Sequence, residues 1–336
     1  MMRALTKLLA IVIIVGSFAG AWLIMEYNAF LSRAMVLEGQ TAQSFEITPG
    51  SSVKTIARQL ERGGYISNAL YFEGLVRLSN QGGRVQAGEY QIDPGMTPEV
   101  FLKRITSGEV VQYAFTIIEG WSFKQLLHEL AQHKQILHTL KEKSEQEIIS
   151  ELNLDGAHPE GWFLPDTYHF PQNTTDVDFL NRSLNAMRQA LDAAWTQRQP
   201  NLPIKTPYEA LILASIVEKE TGLASERPQI AGVFTRRLIK RMRLQTDPTV
   251  IYGMGDAFDG NIRRADLKRD TPYNTYTRHG LPPTPIALPS LDAIQAVLNP
   301  EPGKTLYFVS RGDGSHYFSV TLEEHNRAVR KYQLKR

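Results

Sequence analysis

The chain has 336 residues, 42% hydrophobic and 21% charged, a globular composition with length for two domains once an apolar N-terminal segment is set aside. A net charge of +2 gives no case for nucleic acid as a partner, which would call for a concentrated basic face. There is no cysteine, which excludes disulfides, thiolate zinc sites and cysteine nucleophiles; the eight histidines show no ligand spacing, so no metal and no cofactor are expected.

Leu8 to Met25 is a run of eighteen residues without a charge, at the lower limit for crossing a bilayer. Arg3 and Lys7 precede it and Glu26 follows, so the positive-inside rule puts residues 1–7 in the cytoplasm and the body of the chain outside. Ala19-Gly20-Ala21 has the form of a signal cleavage site, but Trp22 to Met25 extends the apolar run past it. An uncleaved anchor over 8–25 is the favoured reading, with 26–43 as a linker.

Residues 44–110 read as one module. Phe45 to Ile47 is a short strand and Pro49-Gly50 a turn; Ser51 or Ser52 caps a helix with Val53, Ile56, Ala57 and Leu60 on one face. A second helix runs from about Ala69 to Leu78, and Val85 to Ile92 returns as a strand. This order, with ITPGSSVKTIA and AGEYQID, resembles a LysM module, a small fold that binds N-acetylglucosamine-containing glycans. The spacing Ile47, Gly50, Val53, Ile56, Leu60 echoes at Ile117, Gly120, Phe123, Leu126, Leu130, as if a strand, a glycine turn and a helix were used twice.

Ser122 to His138 has helical period. Glu160 to Pro171, EGWFLPDTYHFP, is too rich in proline and aromatics for a regular helix, and Trp162, Phe163, Tyr168 and Phe170 could wall a sugar subsite or simply pack the domain. Asp166 is its polar exception. Asp178 to Gln197 is an amphipathic helix.

Thr206 to Gly222 is the most informative stretch. Thr206 and Glu209 form a capping box, Pro207 suits the first helical position, and Gly222 is placed to end the helix. Ala210 to Val217 are apolar except Ser215, so the helix is expected to be buried on nearly every side. Glu218 in its last turn faces both desolvation and the negative helix end, which disfavour the charged form and mark it as a general acid. The plain alternative is a solvated carboxylate in a fraying turn. Glu220 points away from Glu218 and is expected to brace the rim.

Ser225 to Met242 is a further helix with a basic far end. Gln245 to Gly253, QTDPTVIYG, reads as a turn offering Gln245, Asp247 and Thr249 to a ligand. The proline-rich Thr271 to Pro289 reads as an ordered loop, in which Asn274, Thr275 and Tyr276 suit sugar hydroxyls and acetamido groups. A hairpin turning at Arg311 to Gly314 and a terminal helix opened by Thr321 and Glu324, ending in Lys331, Lys335 and Arg336, close the chain.

Taken together, ASIVEKETG, QTDPTVIYG, YNTY and EGWFLPDTY closely resemble the YceG-like family of inner-membrane murein transglycosylases. The resemblance spans nearly the whole chain. It implies an α+β protein: an anchor, the LysM-like module over 44–110, and a mixed α/β catalytic domain over 111–336, with the cleft and connecting region at 111–205 and the core at 206–336. It implies a periplasmic enzyme cutting peptidoglycan glycan strands between N-acetylmuramic acid and N-acetylglucosamine to leave 1,6-anhydro ends, with the essential glutamate at Glu218 and with Tyr276 and Asn274 beside the reacting sugar. Gln245, Asp247, Thr249, Thr275, Glu220, Asp166 and Tyr168 complete the expected substrate-binding set, and peptidoglycan synthases are the expected partners. A water-adding muramidase using Asp247, or a wall-binding scaffold without catalysis, are the alternatives.

Overall fold

The computed structural model describes residues 2–154 and 158–334. It divides into two compact units, Met1–Tyr113 and Ala114–Arg336. The protein is a mixed α/β chain with one N-terminal apolar helix; its strands pair only two by two among the described residues.

The first unit opens with α1 (Met2–Ser32). Its segment Leu5–Ser32 is long and apolar enough to cross a membrane, with a mean hydropathy of 2.5 and no burial in its most apolar window. The helix runs past Met25 to Ser32 because its final turns find a partner. Phe30 is buried, and Tyr27 and Phe30 meet the ring of Tyr71 at 5.9 and 5.6 Å. The stretch read as a linker from residue 26 is thus helical as far as Ser32. There follow β1 (Gln43–Ile47), α2 (Val53–Arg62), α3 (Ala69–Leu78), β2 (Gly88–Ile92) and α4 (Pro98–Ser107). Ser52 caps α2 by accepting from the Thr55 N–H, and Asn68 caps α3 by accepting from Leu70. β1 and β2 run antiparallel with Phe45 opposite Tyr90. The core gathers Ile56, Leu60, Phe72, Tyr90 and Phe101. The sequence reading gave no element to α4, although Thr97-Pro98 is an ordinary cap and first position and Phe101, Leu102 and Ile105 are its buried stripe.

The second unit begins within β3 (Gln112–Thr116). It continues with α5 (Phe123–Leu130), β4 (Ile136–Leu137), α6 (Glu145–Glu151), β5 (Thr167–Pro171), β6 (Thr174–Thr175), α7 (Asp176–Thr196) and α8 (Pro207–Glu220). After these come α9 (Arg227–Ile239), α10 (Asp247–Met254), α11 (Arg264–Lys268), α12 (Leu291–Leu298), the antiparallel hairpin β7 (Tyr307–Ser310) and β8 (His316–Ser319), and α13 (Leu322–Tyr332). Lys335 and Arg336, expected to finish the last helix, lie outside the described residues.

α8 packs against α7, α9, α10 and α12, and every residue from Ala210 to Val217 is buried. That is why its sequence has no polar face. Ser215, the exception, donates to the Ile212 carbonyl and accepts from the Ile286 N–H at 3.0 Å, fastening the proline-rich loop to the helix. At the N-terminus Thr206 caps the Glu209 N–H, while the Glu209 carboxylate reaches the Lys205 N–H rather than that of Thr206. At the other end Thr221 is extended, and Gly222 has no left-handed conformation. The helix stops because Thr221 turns its hydroxyl to the Leu223 N–H.

Three further differences bear on the site. The helix expected over 122–138 stops at Leu130, and Ile136-Leu137 pairs in parallel with β6. Gln245 to Gly253 holds α10 rather than a turn, opened by Asp247-Pro248 and seated by buried Thr249 and Val250. α12, capped by Ser290, was not anticipated.

Candidate active cleft

Glu218 lies in the last turn of the buried helix α8, with its side chain only 5% exposed. Its Oε1 accepts from Arg227 Nη2 at 2.9 Å, and its Oε2 accepts from the Ser290 N–H at 2.9 Å and the Ser290 hydroxyl at 2.5 Å. Ser290 is also the cap of α12, so one residue starts a helix and holds the carboxylate. Arg227 opens α9 and is itself buried. The same Nη2 donates to Glu119 at 3.0 Å, and Glu119 is half exposed. Its neighbour Gly120 takes a φ of +75°, receives Lys219 Nζ on its carbonyl at 3.1 Å, and gives its N–H to the Leu288 carbonyl at 2.8 Å. A Cβ there would stand 3.9 Å from Glu218 Cγ, so this glycine turn packs directly on the carboxylate's stem.

These groups open onto a cleft of about 720 Å³ walled by Thr116 to Gly120, Pro165 to Thr167, Glu218 to Gly222 and Arg227. A second cleft, of about 580 Å³, is lined by Glu220, Arg237, Gln245, Asp247, Tyr276 and His316 among others. Glu220 borders both. It accepts from the Thr246 hydroxyl, and burial pushes its carboxyl up to about 7 against that bond, with Asp247 adding to the rise. The surroundings that favour a proton therefore belong to Glu220. Glu218, by contrast, meets a guanidinium and makes a twofold contact with a serine. Its donors, Arg227 and Ser290, come from outside the helix.

The substrate-binding residues expected from sequence divide into four groups. Glu220 and Asp166 share the first cleft with Glu218, and Glu220, Gln245, Asp247 and Tyr276 share the second. Tyr276 donates to Asp247 Oδ1 at 2.5 Å, and burial followed by this bond raises its phenol well above the ordinary range. Asn274, Thr275 and Thr249 are buried in the frame. The Asn274 amide donates to the carbonyls of Asp266, Leu267 and Arg269 and its oxygen accepts from the Tyr276 N–H, so it shapes the loop from within. Thr275 and Thr249 hydroxyls meet at 2.9 Å. Tyr168 packs on Phe179 and donates to the Leu164 carbonyl, away from both clefts. Phe163 and Phe170 are wholly buried, which makes them core rather than sugar platforms.

A family model described as the YceG-like family matches residues 45–331. The chain belongs to the YceG-like family. Two relatives show its reach. It is 31% identical over 324 residues to the endolytic murein transglycosylase of Bacillus subtilis, covering 91% of this chain and 89% of that protein. It is 31% identical over 321 residues to the endolytic murein transglycosylase of Streptococcus pneumoniae strain D39, covering 85% of this chain but 57% of that longer protein. A crystal structure of a yceG-like protein from Listeria monocytogenes superposes with a TM-score of 0.52 at 29% identity, covering 85% of this chain and 98% of that one. The family resemblance read from four sequence motifs is thus borne out.

The sequence reading missed Arg227, Ser290 and Glu119. Ser290 carried a signal as the cap of an apolar helical run, and Glu119 sits beside the glycine of the internal echo. The basic far end of the helix over 225–242 is built into the fold. Arg237 is buried and donates to the Leu244 and Leu306 carbonyls, while Arg236 binds Thr305 and Glu301.

Proposed function

We propose that this YceG-like protein is a membrane-anchored lytic transglycosylase that cuts peptidoglycan glycan strands between N-acetylmuramic acid and N-acetylglucosamine, with Glu218 as its acid and base. The observation that carries the reading is the Glu218 carboxylate, rigidly backed by a buried helix and facing an open cleft, in a chain whose relatives are named endolytic murein transglycosylases. Protonated Glu218 gives its proton to the glycosidic oxygen as the C1–O bond breaks. The carboxylate then takes the proton of the muramic C6 hydroxyl as that oxygen closes on C1, leaving a 1,6-anhydro end. The sugar supplies the nucleophile, so no water is added. A hydrolase would instead draw on a second carboxylate for nucleophile or water activation. Asp247 is poorly placed for that, since it engages Tyr276 and lines the second cleft.

In the same reading α1 anchors the protein in the bacterial inner membrane with Arg3 and Lys7 inside, and the rest lies in the periplasm. The β1-α2-α3-β2 order supports a LysM-like affinity for the same glycan in the first unit. Tyr276 and Asp247 belong to the substrate-binding surface, and peptidoglycan synthases, which make the uncrosslinked strand, are the partners. The test is Glu218→Gln with nascent glycan as substrate. Wild type should release muropeptides one water lighter than hydrolytic products, and the variant should fold yet release none; undiminished release would refute the assignment.

A further inference from the structure

A carboxylate that must act first as an acid has to be able to hold a proton, yet Glu218 rests against a buried guanidinium. The arginine stays charged at any working pH. Among the described residues its Nε has no hydrogen-bond partner, and Nη1 has only Asp292 at 3.6 Å, too far for a hydrogen bond. Its hydrogen-bonded carboxylates are therefore Glu218 and Glu119, and both are reached through Nη2, at 2.9 and 3.0 Å. Were Glu218 its sole partner, each protonation of Glu218 would strand a buried cation, which is strongly unfavourable.

We propose that Glu119 is a positioning residue that takes over the Arg227 guanidinium whenever Glu218 carries a proton, letting Glu218 alternate between acid and base. Glu119 is suited to this. It is half exposed, and the Gly120 turn is tied down by Lys219 and Leu288. Glu119 forms no bond with the sugar; the proton still travels between Glu218 and the glycosidic and C6 oxygens. The other charged groups around Glu218 are otherwise engaged. Lys219 binds the Gly120 carbonyl, Asp166 accepts from the Thr167 N–H, Glu220 binds Thr246, and Asp292 is largely exposed beyond Arg227.

The proposal rests on the acid–base assignment of Glu218 and is tested by pH profiles of anhydro-product release from uncrosslinked glycan by the full chain in detergent. Without the Glu119 charge, Arg227 holds Glu218 more firmly as a carboxylate. The alkaline limb of the Glu119→Gln profile should move down by about one pH unit, with kcat at neutral pH falling about tenfold and KM little changed. Glu119→Asp should move the limb back toward wild type. A loss of activity with the limb unmoved would reduce Glu119 to a structural role, and an unchanged variant would overturn the proposal outright. Glu218→Gln separates the two levels. If E218Q is inactive while E119Q keeps the wild-type limb, only the Glu119 proposal falls. If E218Q is active, the assignment beneath it falls and takes the proposal with it.

Discussion

Replacing Glu160 by glutamine should flatten the pH dependence of the second unit's stability. Glu160 opens the aromatic motif but is itself buried, accepting from the Phe123 N–H at 2.9 Å and the Tyr252 hydroxyl at 3.1 Å. Burial pushes its carboxyl up to about 7, from 4.5, despite those bonds. Below 4.5 both folded and unfolded chains carry the proton. Between 4.5 and about 7 the folded chain keeps it and the unfolded chain has released it, so stability falls as pH rises; above about 7 the loss is complete. At about 1.4 kcal/mol per unit the loss amounts to about 3 kcal/mol. Glutamine keeps an acceptor for Phe123 and turns a donor toward the Tyr252 oxygen, and it has nothing to titrate. Denaturant unfolding of wild type and Glu160→Gln at pH 4.5 and 8 should therefore give a stability difference that moves by about 3 kcal/mol in favour of the variant at pH 8. Glu220 titrates in both proteins and cancels. Parallel pH profiles would show that burial does not govern the Glu160 carboxyl.

Ser290→Ala should lower stability by about 1 kcal/mol through loss of the α12 cap and slow product release by roughly tenfold or more through loss of a charge-assisted bond to Glu218. Ser290→Thr should restore both, and a threonine variant as impaired as the alanine one would contradict the shared role. Gly161→Ala should destabilise by about 2 kcal/mol or more, because its φ is +86° and a Cβ would stand 2.6 Å from Pro285; an unchanged unfolding midpoint would show that the Pro285 loop yields.

The α8 helix was legible because its signals are local: cap, first-turn proline, an apolar run and glutamates in its last turn. What surrounds Glu218 was not. Its donors stand at positions 227 and 290, and the arginine is shared with position 119, in segments that periodicity cannot bring together. The same distance effect explains Asn274, whose amide looked free for a sugar in YNTY but meets three carbonyls of the preceding turn once the loop folds back. α10 escaped notice because Gln245 to Gly253 is short and rich in turn residues, and burial of Thr249 and Val250 outweighs that local preference.

The two glutamates in the last turn of α8 show how a helix end can serve opposite demands. Spaced two apart, they project to different sides, and α8 itself cannot distinguish them. The distinction comes from what each side meets: at Glu218 the start of α9 and the start of α12, supplying a guanidinium and an N–H; at Glu220 the hydroxyl of Thr246 just before α10. Helix starts are where unpaired N–H groups and favourable dipole ends collect, so a carboxylate placed against one finds donors ready for it. Because these donors come from distant parts of the chain, the carboxylate acquires its surroundings only when the unit has closed around α8.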